Sequence, residues 1–290
     1  MADGPLIIDD NGFPIQPAEP HAVISATAEY ALSAGIVAVA VLVVGIAVYL
    51  AWKYRSGYPL LCILGGCLTA LVEPVLDVGL QLYWLDHHQP DYIVGFGRHV
   101  PIVTLAIYTI FMGFSSMMIW LWTHQRGITI KKVVTLYVSM IVALNILEPL
   151  GLQVQLWYYA GQHGVRFFNY PVWYSVSVSS IFVMNGAIQW RARPYLHGWR
   201  AIATIPMIPM VDMGLFFAIQ WPMFIALNTQ PPIAVTYLCS AIAIAQGLLV
   251  VYLAASLMGL VPARRTDAGN ATGGLKPPIA PLGATASARA

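Results

Sequence analysis

Glu73 and Asp77 stand four residues apart within LLCILGGCLTALVEPVLDVGLQLYWL, an apolar run from Leu60 to Leu85. On a helix that spacing puts both carboxyl groups on one face, and the run is long enough to cross a bilayer. An acid near the bilayer centre costs roughly 2.5–3.5 kcal/mol on insertion scales, so it normally faces a bundle interior or a cavity and marks function. Glu148 and Asp212 occupy comparable apolar runs, and no Lys or Arg lies in the middle of any of them. Without a countercharge, at least some of these four acids are expected to keep their protons at neutral pH. A neutral carboxylic acid in a dry pocket is a proton donor in search of a base. Pro74 adds an irregularity beside the acids, because it cannot donate to the carbonyl of Ala70 and leaves that oxygen free.

The residues expected around the acids suit a particular chemistry. Gln81 continues the face of Glu73 and Asp77; Asn145, Gln155 and Tyr159 lie close to one line with Glu148. Phe216 and Trp221 fall near Asp212, while Tyr108 and Phe111 occupy the middle of another apolar run. Aromatic faces attract cations by about 0.5–2 kcal/mol each when desolvated, so a dry pocket of acids and aromatics fits a reaction that passes through carbocations. Two blander readings stay open. Aromatics at helical spacing can be plain packing, and the acids can tie helices together through hydrogen bonds, which average about 0.6 kcal/mol in measured membrane cases.

Other intramembrane chemistries lack their residues. The last apolar run has no Lys for a retinal Schiff base, no span carries a DDxxD pair for magnesium-dependent diphosphate release, and no HExxH motif offers a zinc site. Asp86, His87, His88 and Asp91 could hold a metal at the outer surface, but a solvated loop accounts for them as well; His99, His124 and His163 read as interfacial. Cys62, Cys67 and Cys239 lie in apolar runs and read as small buried hydrophobes.

The elements that must position these residues are membrane helices. Of 290 residues, 59% are hydrophobic and 9% charged, with mean hydropathy +0.71, which indicates an all-α integral membrane protein. The net charge of +2 comes without a basic block, arguing against nucleic acid as a partner. Seven spans are expected, at about 30–52, 60–85, 99–123, 133–159, 171–190, 201–227 and 233–257. Residues 1–29 form a polar arm without the features of a secretory signal, so the first apolar run is expected to be retained. Residues 30–258 form the membrane domain, and 259–290 a disordered tail. Lys53, Arg55, Arg126, Lys131, Lys132, Arg191, Arg193, Arg200, Arg264 and Arg265 fall on one side, against Arg98 and Arg166 on the other. The positive-inside rule then sets the amino end outside and the carboxyl end in the cytoplasm. A weak internal echo relates LVEPVLDVGLQLYW to ILEPLGLQVQLWYY, and VDMGLFFAIQW repeats the Asp-x-Gly-Leu of Asp77. These runs cross in the same direction, with Glu73, Glu148 and Asp212 each about fourteen residues beyond the cytoplasmic start, so the three should reach one depth.

With these residues on seven spans, the chain resembles the membrane-integral terpene cyclases, a group that includes fungal meroterpenoid cyclases and bacterial drimentine-type cyclases of prenylated indoles. The resemblance covers residues 30 to 258 and rests on the architecture and on acids in an early and a late span; Val72, not the Trp of the fungal pattern, precedes Glu73. It implies an enzyme in which Glu73, with Asp77 as partner, and Asp212 supply the proton that opens an epoxide or alkene of a linear prenyl chain. Glu148, or an ionised partner carboxylate, would remove the last proton, and no metal or organic cofactor is needed. The implied partners are a lipophilic prenylated substrate and membrane lipid. The Ala-, Arg- and Gly-rich tail suits a bacterial source of high G+C content, hence the cytoplasmic membrane. The competing reading is a small proton-coupled transporter or sensor, with Pro74, Pro149, Pro206 and Pro209 as hinges.

Overall fold

The computed structural model describes residues 7–8, 14–15, 25–85, 87–125, 127–229 and 231–261. Long apolar runs form helices because every interior backbone group is then paired within its own segment, as a hydrocarbon environment demands. After the two-residue strands β1 (Ile7–Ile8) and β2 (Pro14–Ile15), the first helix is α1 (Ala26–Tyr54). Helices α2 (Tyr58–Thr69) and α3 (Glu73–Leu80) are joined by a 3-10 turn, Ala70–Val72, and lead into strand β3 (Leu82–Trp84). A hairpin of β4 (Asp91–Gly95) and β5 (Arg98–Pro101) comes next. Helices α4 (Val103–Tyr108) and α5 (Phe114–Gln125) flank a π-helical turn at Thr109–Gly113, and α6 (Ile130–Gln153) precedes β6 (Trp157–Tyr159). The small hairpin β7 (Arg166–Phe167) and β8 (Tyr170–Pro171) leads to α7 (Val172–Ala192), α8 (Thr204–Thr229) behind a 3-10 turn at Gly198–Ala203, and α9 (Ile233–Leu257).

The described residues thus make seven helical segments, six of them long and apolar enough to cross a membrane: Ala26–Tyr54, Tyr58–Leu80, Val103–Gln125, Ile130–Gln153, Gly198–Thr229 and Ile233–Leu257. The exception, α7, carries Ser175, Ser177, Ser179, Ser180, Asn185 and Gln189, which lower its hydropathy, and all six are buried. Helices α5, α6, α8 and α9 pack around it, so protein rather than lipid meets its polar side chains. Ser177 Oγ donates to Tyr174 O (3.1 Å), and Gln189 Nε2 donates to Ser116 Oγ (2.7 Å) and Asn185 Oδ1 (2.9 Å). Small residues let these helices close in: a Cβ on Gly247 of α9 would meet the Ser177 backbone at 2.9 Å.

Several sequence expectations shift at the helix ends. The arm reading of 1–29 fails at its last residues, because Ala26–Glu29 already belong to α1 and Glu29 is buried. Its carboxylate accepts from His88 N (3.0 Å) and Gln89 Nε2 (3.0 Å), tying the start of α1 to the chain after β3. Most of the arm, the tail from 262 onward and Asp86 lie outside the described residues. The second and fourth spans end early, at Leu80 and Gln153, rather than at Leu85 and Tyr159. Gln81 (φ 52°) and Gln155 (φ 60°) turn left-handed there, which stops each helix. The aromatic segments that follow pair as an antiparallel ladder, Leu82 with Tyr159, Tyr83 with Tyr158 and Trp84 with Trp157. Bulky aromatic residues favour such a ladder, because cross-strand side chains pack on one another. The two halves of the sequence echo therefore meet face to face. The third span begins at Val103, since His99 belongs to β5.

His163 also departs from expectation, being buried rather than interfacial. Its Nε2 donates to Ala160 O (2.7 Å), and its ring stacks parallel to Trp173 with centroids 6.2 Å apart. Burial, reinforced by Arg166, lowers this imidazole from its ordinary 6.5 to about 3. Below pH 6.5 the unfolded chain therefore takes up a proton that the folded chain refuses, and stability falls progressively as pH drops toward 3. His163→Gln, which keeps a donor for Ala160, should flatten that decline in thermal-unfolding scans of detergent-solubilised protein from pH 7 to 4; an unchanged slope would remove His163 as its cause.

Candidate active site

Three of the four acids converge. Glu73 at the start of α3, Glu148 on α6 and Asp212 on α8 line one cavity, walled by Trp84, Tyr108, Phe111, Trp157, Tyr159, Tyr174, Phe182 and Phe216. None of the described lining residues is Lys, Arg or His. The cavity is narrow, about 60 Å³, room for a handful of water molecules.

Each carboxyl group is held differently. The Tyr108 hydroxyl donates to Glu73 Oε2 across the cavity wall. Tyr108 stands immediately before the π-helical turn, a feature that often marks functional sites because it re-aims side chains. The turn packs backbone to backbone on α2, where a Cβ on Gly66 would overlap Gly113. Glu148 Oε2 accepts from Trp157 Nε1 (2.9 Å) and from the Tyr159 hydroxyl (2.9 Å), both on β6. Gly151 makes this possible: a Cβ there would overlap the Trp157 indole, which folds back against the last turn of α6. Asp212 is 1% exposed and neither of its oxygens has a hydrogen-bond partner among the described residues. Asp77 is buried beside the cavity without lining it, its Oδ2 accepting from Trp84 Nε1 (3.1 Å). Each strand of the ladder thus returns one Trp to an acid of the helix before it.

The carbonyl to which Pro74 cannot donate finds two other donors: the Glu73 N–H closes the 3-10 turn on Ala70 O, and the Tyr92 hydroxyl on β4 donates to the same oxygen from outside the helix. Gly95 of the same hairpin sits over the ring, where a Cβ would lie 3.2 Å from Pro74 Cβ. The hairpin therefore braces the irregular turn that presents Glu73. Tyr92→Phe should cost about 0.5–1.5 kcal/mol, the net worth of one hydrogen bond, since the Glu73 N–H still donates to that carbonyl, measured as a lower unfolding temperature; an unchanged temperature would mean that Tyr92 does not brace the turn.

Of the expected pocket residues, Tyr108, Phe111, Tyr159 and Phe216 line the cavity and four others do not. Asn145 Nδ2 donates back to Ile141 O (2.8 Å) along its own helix, and Gln81 Nε2 donates to Asn228 Oδ1 (2.6 Å). Gln155 is exposed at the left-handed turn, and Trp221 is half exposed on the outer side of α8. The reason is common to the two glutamines: once the helix ends before them, helical periodicity no longer aims their side chains. Trp157 and Tyr174 were not singled out from sequence. The one signal that could have found Trp157 is its place after the second echoed segment, where Trp84 follows the first; Tyr174 has no comparable signal.

Fold and site together define a class: a helical membrane protein with a buried aromatic cavity fed by carboxyl groups from three helices. No family model matches the chain, and comparisons with curated proteins and with solved structures find no match either.

Proposed function

We propose that the chain is a membrane-embedded terpene cyclase that starts ring closure by protonation. The observation that carries this reading is the meeting of Glu73, Glu148 and Asp212 in one aromatic cavity with no basic residue among its described walls. Asp212 is the proton donor, since a carboxyl group with no hydrogen-bond partner keeps its O–H for the substrate. Its proton goes to the CH carbon of the distal alkene of a prenyl chain, leaving a tertiary cation on the terminal dimethyl carbon, or to the oxygen of an epoxide at that position. The resulting cation is attacked by the next double bond, forming a carbon–carbon bond and passing the charge along the chain. Tyr174, Phe111, Phe182 and Phe216 face that path and stabilise the charge. Glu148, whose Oε2 is held by two donors as a carboxylate would be, takes the final proton through Oε1. Product and substrate then have the same mass. The narrow bore means that substrate has to spread the aromatic walls, a fit that leaves little water to quench the cations.

The charge bias of the loops supports seven spans with the amino end outside, which includes α7 as a protein-sheathed span, and the Ala-, Arg- and Gly-rich tail supports a bacterial cytoplasmic membrane as the location. Membranes containing the protein, incubated in EDTA with linear farnesylated and geranylgeranylated aromatic compounds, should yield an isomer of unchanged mass and new retention time. No isomer from any such chain, with proton uptake by proteoliposomes instead, would replace this reading with a proton-coupled transporter.

A further inference from the structure

The end of the bundle away from the β3–β6 ladder is where the chain passes from α1 to α2, from α5 to α6 and from α7 to α8. Tyr54, Tyr58, Trp120, Leu121, Leu196 and Ala201 form one apolar cluster there, joining α1, α2 and α5 to the α7–α8 connection. Every described formal charge at this end is positive. Lys53, Arg55, Lys131, Arg191, Arg193 and Arg200 are exposed, and no Asp or Glu occurs in 30–72, 92–147 or 149–211, the stretches that contain these connections. None of these six cations meets a carboxylate among the described residues. The two most exposed large hydrophobic side chains among the described residues stand beside them: Trp199, 80% exposed, precedes Arg200, and Trp52, 77% exposed, precedes Lys53. Tyr195 and Ile202 are exposed on the same α7–α8 connection. That connection is nonetheless firmly seated. Tyr195 N donates to Ala192 O (2.8 Å) and His197 Nδ1 to Pro194 O (2.9 Å), while Arg193 lies over the Trp190 ring, 5.3 Å from its centre. Leu196 and Ala201 are held in the cluster, so residues 197–200 form a loop pinned at both ends.

We propose that the α7–α8 connection is a binding site for anionic phospholipid, with the lipid phosphate paired to Arg193 and Arg200 and the Trp199 ring lying among the head groups. Guanidinium groups present forked donors that match phosphate oxygens, and with no carboxylate nearby their charge is free for a ligand. Indole rings settle at the boundary between hydrocarbon and water, which is where a helix end places Trp199 and Trp52. A soluble acidic partner would meet the same charges, but it would not account for the exposed indoles at the ends of membrane helices. At the opposite end of the bundle Glu29 and Asp91 face the imidazoles of His88, His87 and His99, so the preference for anionic lipid is confined to one leaflet. Charge bias alone orients a chain during insertion; the seated loop adds two arginines fixed around one indole. The site stands whether or not the acid cavity cyclises a prenyl chain.

The test uses the full chain in detergent, titrated with phosphatidylglycerol or phosphatidylcholine, with native mass spectrometry counting the lipids retained. Phosphatidylglycerol should be retained at lower concentration than phosphatidylcholine. Arg193→Gln combined with Arg200→Gln should weaken phosphatidylglycerol binding about twenty-fivefold, fivefold for each charge lost, whereas Arg193→Lys with Arg200→Lys should keep most of it. Both side chains are exposed, so the variants should fold, which an unchanged unfolding temperature in lipid-free detergent checks. Trp199→Ala should weaken retention of both lipids. Equal retention of the two lipids by the natural chain, or phosphatidylglycerol binding unchanged in the glutamine variant, would overturn the site. Displacement of phosphatidylglycerol by polyglutamate, with Trp199→Ala binding lipid as before, would replace lipid by an acidic polypeptide as the partner.

Discussion

Asp212→Asn is expected to lower cyclisation by about 10²–10⁴-fold, the range that a positioned general acid supplies. The amide has the shape of the carboxyl group but holds no proton acidic enough to reach an alkene. Packing should be preserved, since Asp212 makes no hydrogen bond to the described residues that the change would break. Substrate affinity, followed by displacement of a labelled prenyl chain, should therefore move far less than turnover. An Asp212→Asn protein that cyclises at the original rate would exclude Asp212 as the donor. The related change Glu73→Gln should cost less, because Glu73 is engaged by the Tyr108 hydroxyl.

Glu148→Gln should reduce turnover by about 10²-fold, at the lower end of acid–base effects, and should also change what is made. Gln keeps an oxygen that can accept from Trp157 Nε1 and the Tyr159 hydroxyl, so the ladder that closes the cavity should survive. It cannot take a proton from the terminal cation. That cation then lives longer and is lost at other carbons or captured by water, giving double-bond isomers or an alcohol heavier by one water. An unchanged product profile would assign the base to another group, with Glu73 the next candidate on the cavity wall. Trp157→Phe should act in the same direction with smaller effect, since it removes one of the two donors that orient Glu148.

Much of this architecture could be read from residue types because the membrane imposes a simple rule on sequence. A helix crossing hydrocarbon must be apolar over about 20 residues, so long runs such as Ile233–Leu257 announce themselves. Acids are so unfavourable there that Glu73, Glu148 and Asp212 stand out one by one. Pro74 similarly announced an irregular turn at the Ala70 carbonyl, though nothing local indicated that Tyr92, 22 residues from Ala70, would donate to it. The helix ends were less legible. Gln81 and Gln155 carry no strong stop signal, and the left-handed turn at each is supported by the ladder between Leu82–Trp84 and Trp157–Tyr159, strands more than seventy residues apart.

The sequence by itself therefore determined a helical membrane protein with intramembrane acids, because composition and span length respond to the solvent rather than to the rest of the fold. Only the tertiary structure decided which residues share the site. It brought Glu73, Glu148 and Asp212 to one cavity, moved Asp77 behind Trp84, sent Gln81 to Asn228, and supplied Tyr174 from the serine-rich helix α7. Those outcomes depend on how helices rotate and approach, set by contacts such as Gly66 on Gly113 and the Gly151 recess for Trp157. Side-chain direction across a cavity is a property of that packing, and periodicity along one helix does not contain it.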